Sequence, residues 1–136
     1  MAEKKIKGRK RHIAVDIMGN LLGVVVHAAN LHDTTTGIYP AVYASTVYPT
    51  IQGYCADAGY RGTFVDDIQN VLNVKVDIVE RKDAAKWEVL PKRWVVERTF
   101  AWLNNSRRLS KDYEIKIWSA EAMVKISHIH SLLKRL

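Results

Sequence analysis

The sequence predicts a single α/β domain, and three observations carry that expectation. Short β-rich runs alternate with segments of helical periodicity along the chain. No internal repeat, linker or low-complexity block interrupts them. The 136 residues are 48% apolar, enough to bury a sizeable core without disulfide or metal staples. With 7 glycines and 3 prolines, the chain does not fit a collagen-like, mucin-like or disordered class.

Each element has a local reason. His12-Ile-Ala-Val-Asp16 and Leu21-Leu-Gly-Val-Val-Val-His27 are β-rich, and Met18-Gly19-Asn20 between them supplies turn residues, which predicts a hairpin. Asp33-Thr-Thr-Thr36 offers N-cap chemistry to a helix carrying Ile38, Val42 and Val47, which Pro40 makes short or irregular. Ile51-Gln-Gly-Tyr-Cys-Ala56 reads as a buried strand ending at Asp57-Ala-Gly-Tyr60, with Cys55 packed inside it. From Arg61 to Asn73, the residues Phe64, Val65, Ile68, Val71 and Leu72 make a helical stripe. Val74-Lys-Val-Asp-Ile-Val79 alternates with period two and predicts a further strand.

Pro91 to Ser110 predicts a long helix, with its proline near the start where it costs little. Val95, Val96, Thr99, Trp102 and Leu103 share its apolar face, while Arg93, Glu97, Asn104 and Arg108 fall on a separate stripe. A last helix is expected to start at Ser119 as N-cap. Its seam is Ala122, Ile126, Ile129, Leu133 and Leu136, with His128 largely outside.

The charge balance points to a partner class. There are 21 basic and 14 acidic residues, a formal charge of +7, which suits a polyanion such as DNA because each neutralised phosphate releases counterions. The cations cluster. Lys4, Lys5, Lys7, Arg9, Lys10 and Arg11 form one run, which also reads as a solvated tail; Lys92, Arg93, Arg98, Arg107, Arg108 and Lys111 form a second group. No apolar run approaches the roughly 20 residues that cross a bilayer, and Met1-Ala-Glu-Lys-Lys5 leads into no secretory stretch. With the lone Cys55, these features predict a cytoplasmic protein without a membrane partner.

Two carboxylates stand out. Asp57 follows the end of a predicted buried strand, where α/β folds face their ligands; taken alone, it is better explained as the cap of the next helix. Glu97 sits among Trp94, Val95, Val96, Phe100 and Trp102, and an i,i+4 ion pair with Arg93, worth about 0.3–0.5 kcal/mol, is its bland reading. The sharper reading has both converging on a divalent cation such as Mg²⁺, which prefers carboxylate oxygens together with water and substrate phosphates. His27, His32 and Asp33 lack the spacing and cysteine partners of a zinc site, and structural use near a strand end explains them better. His128 and His130 are two apart on a helix and cannot share an ion.

Four segments together resemble the DDE transposases of bacterial insertion sequences. They are Lys10-Arg-His-Ile-Ala-Val-Asp16, Val26-His-Ala-Ala-Asn-Leu-His-Asp33, Ala56-Asp-Ala-Gly-Tyr-Arg-Gly62 and Leu90-Pro-Lys-Arg-Trp-Val-Val-Glu-Arg-Thr-Phe-Ala-Trp-Leu103. The resemblance implies a ribonuclease-H-like mixed sheet flanked by helices. It also implies three carboxylates holding two Mg²⁺ ions (Mn²⁺ being the alternative) that cut and join DNA phosphodiesters. Asp57 matches the family's second aspartate, Glu97 its glutamate and Arg93 the arginine of the glutamate helix. Leu90 and Asn104 stand where the family has tyrosine and lysine, and Arg107 and Arg108 supply charge nearby. Arg93, Arg98, Arg107, Arg108, Lys10 and Arg11 are the expected DNA contacts.

The family's first aspartate lies on a central strand upstream of His12, and residues 1–11 are too polar to supply it. The expected organisation is therefore a basic N-terminal segment, 1–11, and a catalytic domain, 12–136, whose first central strand is absent. Asp16 and Asp33 are weak substitutes, since one falls at a hairpin turn and the other at a helix start. Two functions follow. One is a transposase portion that works with an upstream segment or second chain, as a homo-oligomer when active. The other is a catalytically inactive DNA-binding remnant or regulator of transposition.

Overall fold

The computed structural model describes residues 8–79, 91–109, 111 and 113–136, without the side chains of 34 and 91–93. It is a mixed α/β structure. Strands β1 (Arg9–Val15) and β2 (Leu21–Ala28) form the expected antiparallel hairpin, with His12 opposite Val25 and Ile13 opposite Val24. The turn is locked by Asp16, whose carboxylate accepts the N–H groups of Met18 and Asn20, both at 2.9 Å. The ladder slips between Ala14 and Val15, which skips Leu22 in the pairing.

Two short helices follow, α1 (Asp33–Thr36) and α2 (Ile38–Val47), divided at Gly37. Pro40 lies in the first turn of α2, where its missing N–H has no intrahelical partner to lose. His32, not the Asp33 cluster, is the N-cap of α1, and Asp33 is already helical. A Cβ on Gly23 of β2 would stand 2.8 Å from the Pro40 carbonyl oxygen, so glycine is what lets α2 lie this close to the hairpin. Strand β3 (Gly53–Asp57) leads through a 3₁₀ turn (Ala58–Tyr60) into α3 (Thr63–Leu72) and then β4 (Lys75–Val79), which pairs parallel to β3. Asn73, with φ of 54°, caps α3 in the left-handed region. Helix α4 (Pro91–Asn104), a 3₁₀ turn (Arg107–Leu109) and α5 (Ile117–Lys134) complete the described chain.

Two cores result. Val24, Leu103, Leu109 and Val124 bury the hairpin against α4 and α5. Ala41, Phe64 and Ile68 form the second, between α2, α3 and the β3–β4 pair. Helix α5 also seals the outer edge of β2: the Leu21 N–H donates to Nε2 of His128 at 3.1 Å, and the Val26 N–H to Oε1 of Glu121 at 3.1 Å. The described strands form two separate two-stranded sheets, β1–β2 and β3–β4, with no ladder between them.

Several expectations from the sequence are corrected here. Cys55 is exposed, because alternate residues of β3 face away from the second core. Val71 is 63% exposed, whereas Phe64 and Ile68 of its stripe are buried in that core and Val65 and Leu72 pack against it. The N-cap of α5 is Lys116, and Ser119 instead donates its hydroxyl to Glu114 at 2.7 Å. The buried face of α5 is Ala120, Val124, Ser127 and His128, whereas Ile126, Ile129, Leu133 and Leu136 are exposed. Apolar residues surround this helix, so their spacing alone does not select the buried side.

Candidate active site

Asp57 ends β3 in an extended conformation, and its Oδ1 accepts the Gly59 N–H at 2.9 Å, capping the 3₁₀ turn. The capping reading of the sequence therefore holds. It does not exhaust the residue, because Asp57 also lines a cavity of about 620 Å³ that Glu97 of α4 lines from another side. The structure thus brings to one cavity two carboxylates that stand 40 positions apart in the chain.

The walls of this cavity are strand edges. Arg11 to Val15 of β1 and Gly53 to Asp57 of β3 line it as unbroken runs, whereas β2 and β4 contribute only Leu22 and Val79. Successive residues of a strand point to opposite faces, so an unbroken run lines a space only along the strand's edge. Among the described residues β1 pairs only with β2, and β3 only with β4. The edges that border the cavity therefore have no ladder partner among the described residues, and Leu22, skipped by the ladder, lines the same space.

Asp16 lines the cavity too, but its carboxylate accepts three hydrogen bonds from Met18 and Asn20 within the hairpin turn. Asp33 is elsewhere, accepting from Lys10 Nζ at 3.0 Å. Burial opposes its ionisation, yet the hydrogen bond and charge of Lys10, with His12 and His27, bring its carboxyl below the usual range. Among the described residues no three or more His, Cys, Asp or Glu side chains are grouped to hold a metal ion. Asp57 and Glu97 offer only oxygen donors, a set that fits Mg²⁺ or Mn²⁺ and suits zinc poorly.

A polar network that sequence reasoning missed bridges the two strand pairs beside this cavity. Tyr60, three residues after Asp57, places its hydroxyl 2.6 Å from Nδ1 of His12 on β1. Burial raises the Tyr60 pKa, with Asp33 and Asp57 adding to it, so the phenol keeps its proton. Burial first, then His27 and Lys10, lower the His12 pKa against the pull of Asp33. With the imidazole neutral, Tyr60 donates to Nδ1, and Nε2–H faces Thr36 Oγ1 at 3.4 Å and Asp33 at 3.7 Å. His27 stacks on His12 with centroids 4.6 Å apart and engages Ala28 O and Thr36, the structural role expected of it. The only trace of this network in the sequence is the Asp-Ala-Gly-Tyr spacing.

The cations take distinct places. Arg98 lies over Trp94 and Trp102, 4.8 Å from each ring centroid, and donates to Met18 O at 2.8 Å. Beside it, buried Thr99 donates to Gly19 O at 2.8 Å, fixing α4 to the hairpin turn. Gly19 has φ of 82° and a Cβ there would meet Thr99 Oγ1 at 2.9 Å, so both backbone and packing require glycine. Lys10 is held by Asp33, and Arg11 donates to Leu109 O at 3.3 Å. The side chain of Arg93, and hence its pairing with Glu97, lies outside the described residues, as do Lys4, Lys5 and Lys7. Arg107 and Arg108 line a second pocket, beyond the end of α4.

The family described as "Transposase DDE domain" matches residues 2–131, nearly the whole chain. The chain belongs to the transposase DDE domain family. As a member, it is similar to the putative transposase for insertion sequence element IS402 of Burkholderia cepacia. The two are 30% identical over 115 residues, covering 79% of this chain and 54% of the relative. This transposase-domain chain therefore spans about half the length of the curated relative it matches. No solved structure matches it.

Proposed function

We propose that the chain is part of an insertion-sequence DDE transposase, in which Asp57 and Glu97 hold divalent cations for cutting and joining DNA phosphodiesters. The observation that carries this reading is the cavity shared by Asp57 and Glu97 between two strand edges that have no ladder partner among the described residues. A strand paired to both β1 and β3 would join the two sheets into the ribonuclease-H-like mixed sheet and bring a third carboxylate beside Asp57. That strand would come from an upstream segment or a second chain, and the active form would be a homo-oligomer.

Asp57 and Glu97 are the proposed metal ligands and catalytic residues. Mg²⁺ bound there, with Mn²⁺ as its substitute, would polarise a phosphoryl oxygen and lower the pKa of water. The chain's own residues do the positioning. The Gly59 N–H fixes the Asp57 carboxylate, and Tyr60 ties its turn to His12 across the gap. Thr99 and Arg98 pin α4, and with it Glu97, to the hairpin turn. Arg93, Arg98, Arg107 and Arg108 would attract DNA phosphates on the same helix and the turn beyond. Lys10 and Arg11, already engaged within the chain, would add to the positive field more than to direct contact. The described chain has no helix long and apolar enough to cross a membrane, which suits a protein working on DNA in the cytoplasm.

One observation favours the second reading, an inactive DNA-binding remnant or regulator: the described residues hold no group of three metal-ligating side chains. Nicking of supercoiled DNA in Mg²⁺ or Mn²⁺ separates the two. Nicking by the chain, alone or with the upstream segment of a relative added in trans, that disappears in Asp57→Ala supports the enzyme. Salt-sensitive DNA binding without nicking under either condition supports the remnant.

A further inference from the structure

The pocket beyond α4 carries an inference that neither carboxylate supplies. Its volume is about 480 Å³, and its walls are the end of α4 with the following turn on one side and the last turns of α5 on the other. Every titratable group among its described lining residues is basic: Arg107, Arg108, His130, Lys134 and Arg135. Between them stand neutral donors, Asn105, Ser106, Ser127 and Ser131, with Trp102 and Ile126 as apolar wall. The 620 Å³ cavity differs, since two aspartates and a glutamate line it together with Arg11 and His12.

The cations are also held in place. Arg135 lies over the Trp102 ring at 4.3 Å and donates from Nε to Ser131 O at 3.3 Å. Arg108 bonds Glu114 at 2.9 Å and lies 5.6 Å from the Tyr113 ring centroid. Guanidinium groups fixed in this way lose little freedom when an anion arrives, and their planar forks suit phosphate oxygens. Trp102 connects the two regions, since Arg98 beside Glu97 contacts the same ring.

We propose that this pocket binds a backbone phosphate of nucleic acid, with α5 forming half of the site through Ser131, Lys134 and Arg135. The apolar wall would face the adjoining sugar. Asn104 is seven positions after Glu97 on one helix, about 10 Å at 1.5 Å per residue. A strand anchored at the pocket and running along α4 would thus be led toward the Asp57–Glu97 cavity. This placement rests on the proposed function; the phosphate site itself does not.

The test is anisotropy of a labelled 20-base-pair duplex titrated with salt in EDTA, so that no metal chemistry contributes. Lys134→Gln is expected to weaken binding several-fold at every sequence and to lower the slope of log K against log salt by about 0.9. Ser131→Glu, which places a carboxylate in the wall, is expected to weaken it further. Lys125→Gln removes the same charge from α5 outside the pocket and should keep the wild-type slope. Unaltered circular dichroism and melting in the variants exclude misfolding as the cause. Wild-type slopes in both pocket variants would overturn the proposal. So would millimolar inorganic phosphate protecting the pocket while duplex affinity stays unchanged in them, since that marks a site for small anions only. Because binding is read without metal, failure here leaves the nicking result standing, and failure to nick leaves this result standing.

Discussion

The cavity lined by Glu97 and the pocket beyond Asn104 are served by one helix, yet they are built in opposite ways. The first lies between strands of two separate sheets, and its carboxylates come from the end of β3, the hairpin turn and α4. The second is enclosed by two helices whose opposite sides share a core through Leu103 and Val124. The first cavity has strand edges without a ladder partner among the described residues along its walls, whereas the basic pocket is lined by residues of two helices and the turn that follows α4. In the proposed reading the difference separates two requirements: phosphate attraction needs only the helices described here, while metal-dependent chemistry needs a further strand. Transposase-like DNA affinity and DNA cleavage are therefore expected to come apart experimentally.

The sharpest way to break the contrast is through the cores. Leu103→Ala should cost about 2–5 kcal/mol in urea unfolding, because Leu103 is buried where α4 meets α5 and the hairpin. It should weaken DNA binding along with stability. Ile68→Ala, in the other core, should cost a similar amount while sparing the binding slope of the molecules that remain folded.

A smaller effect is expected where α4 meets the hairpin turn. Thr99→Val keeps the side chain's shape but leaves the Gly19 carbonyl without its hydroxyl donor, a loss of about 1–3 kcal/mol. Denaturant melts at fixed pH measure it directly. Glu97 lies two residues earlier on the same helix, so metal-dependent nicking, where reconstituted, should fall more than duplex binding does.

The smallest effect is a slope with pH. His128 is held below the ordinary histidine range by burial and by Arg135, against Asp16, and its Nε2 accepts the Leu21 N–H only when neutral. His12 is lowered as well, by burial first. Unfolded chains take up these protons at about pH 6.5, the folded chain only at lower pH. Stability is then complete above that value and lost as pH falls through it. Melting temperature should decline between pH 7 and 5, and less steeply in His128→Gln. Asp33, lowered in the fold from 3.8, contributes its own loss only below this window.

How far the sequence foretold these features depended on whether a local rule applied. The hairpin was legible because Met18-Gly19-Asn20 separates two β-branched runs, and α3 and β4 because their periods differ. Asp57 was legible as a strand-end carboxylate, and Glu97 as a charge on an otherwise aromatic stretch. The gap between β1 and β3 was expected only through the family resemblance, which places a central strand there; no local pattern encodes it, and among the described residues no strand fills it. The buried side of α5 was not legible either: Ile117, Trp118, Val124, Ile126 and Leu132 surround it, and the side it buries is marked by Val124 in the hairpin core and by the hydrogen bonds of Glu121 and His128 to β2. For the same reason the α5 wall of the basic pocket had no sequence signal. The His12–Tyr60 bridge joins residues 48 apart, and burial reveals it where spacing does not.

The most direct test of the central claim, that Asp57 and Glu97 act on one ion, is Mn²⁺ titration of the whole chain followed by the electron paramagnetic resonance of free Mn²⁺. Wild type, Asp57→Asn, Glu97→Gln and the double variant would be compared at equal circular dichroism. A shared ion predicts weak binding that either single substitution removes, with nothing further lost in the double variant. Mn²⁺ binding at wild-type level in either single variant, or losses that add independently, would contradict a shared site.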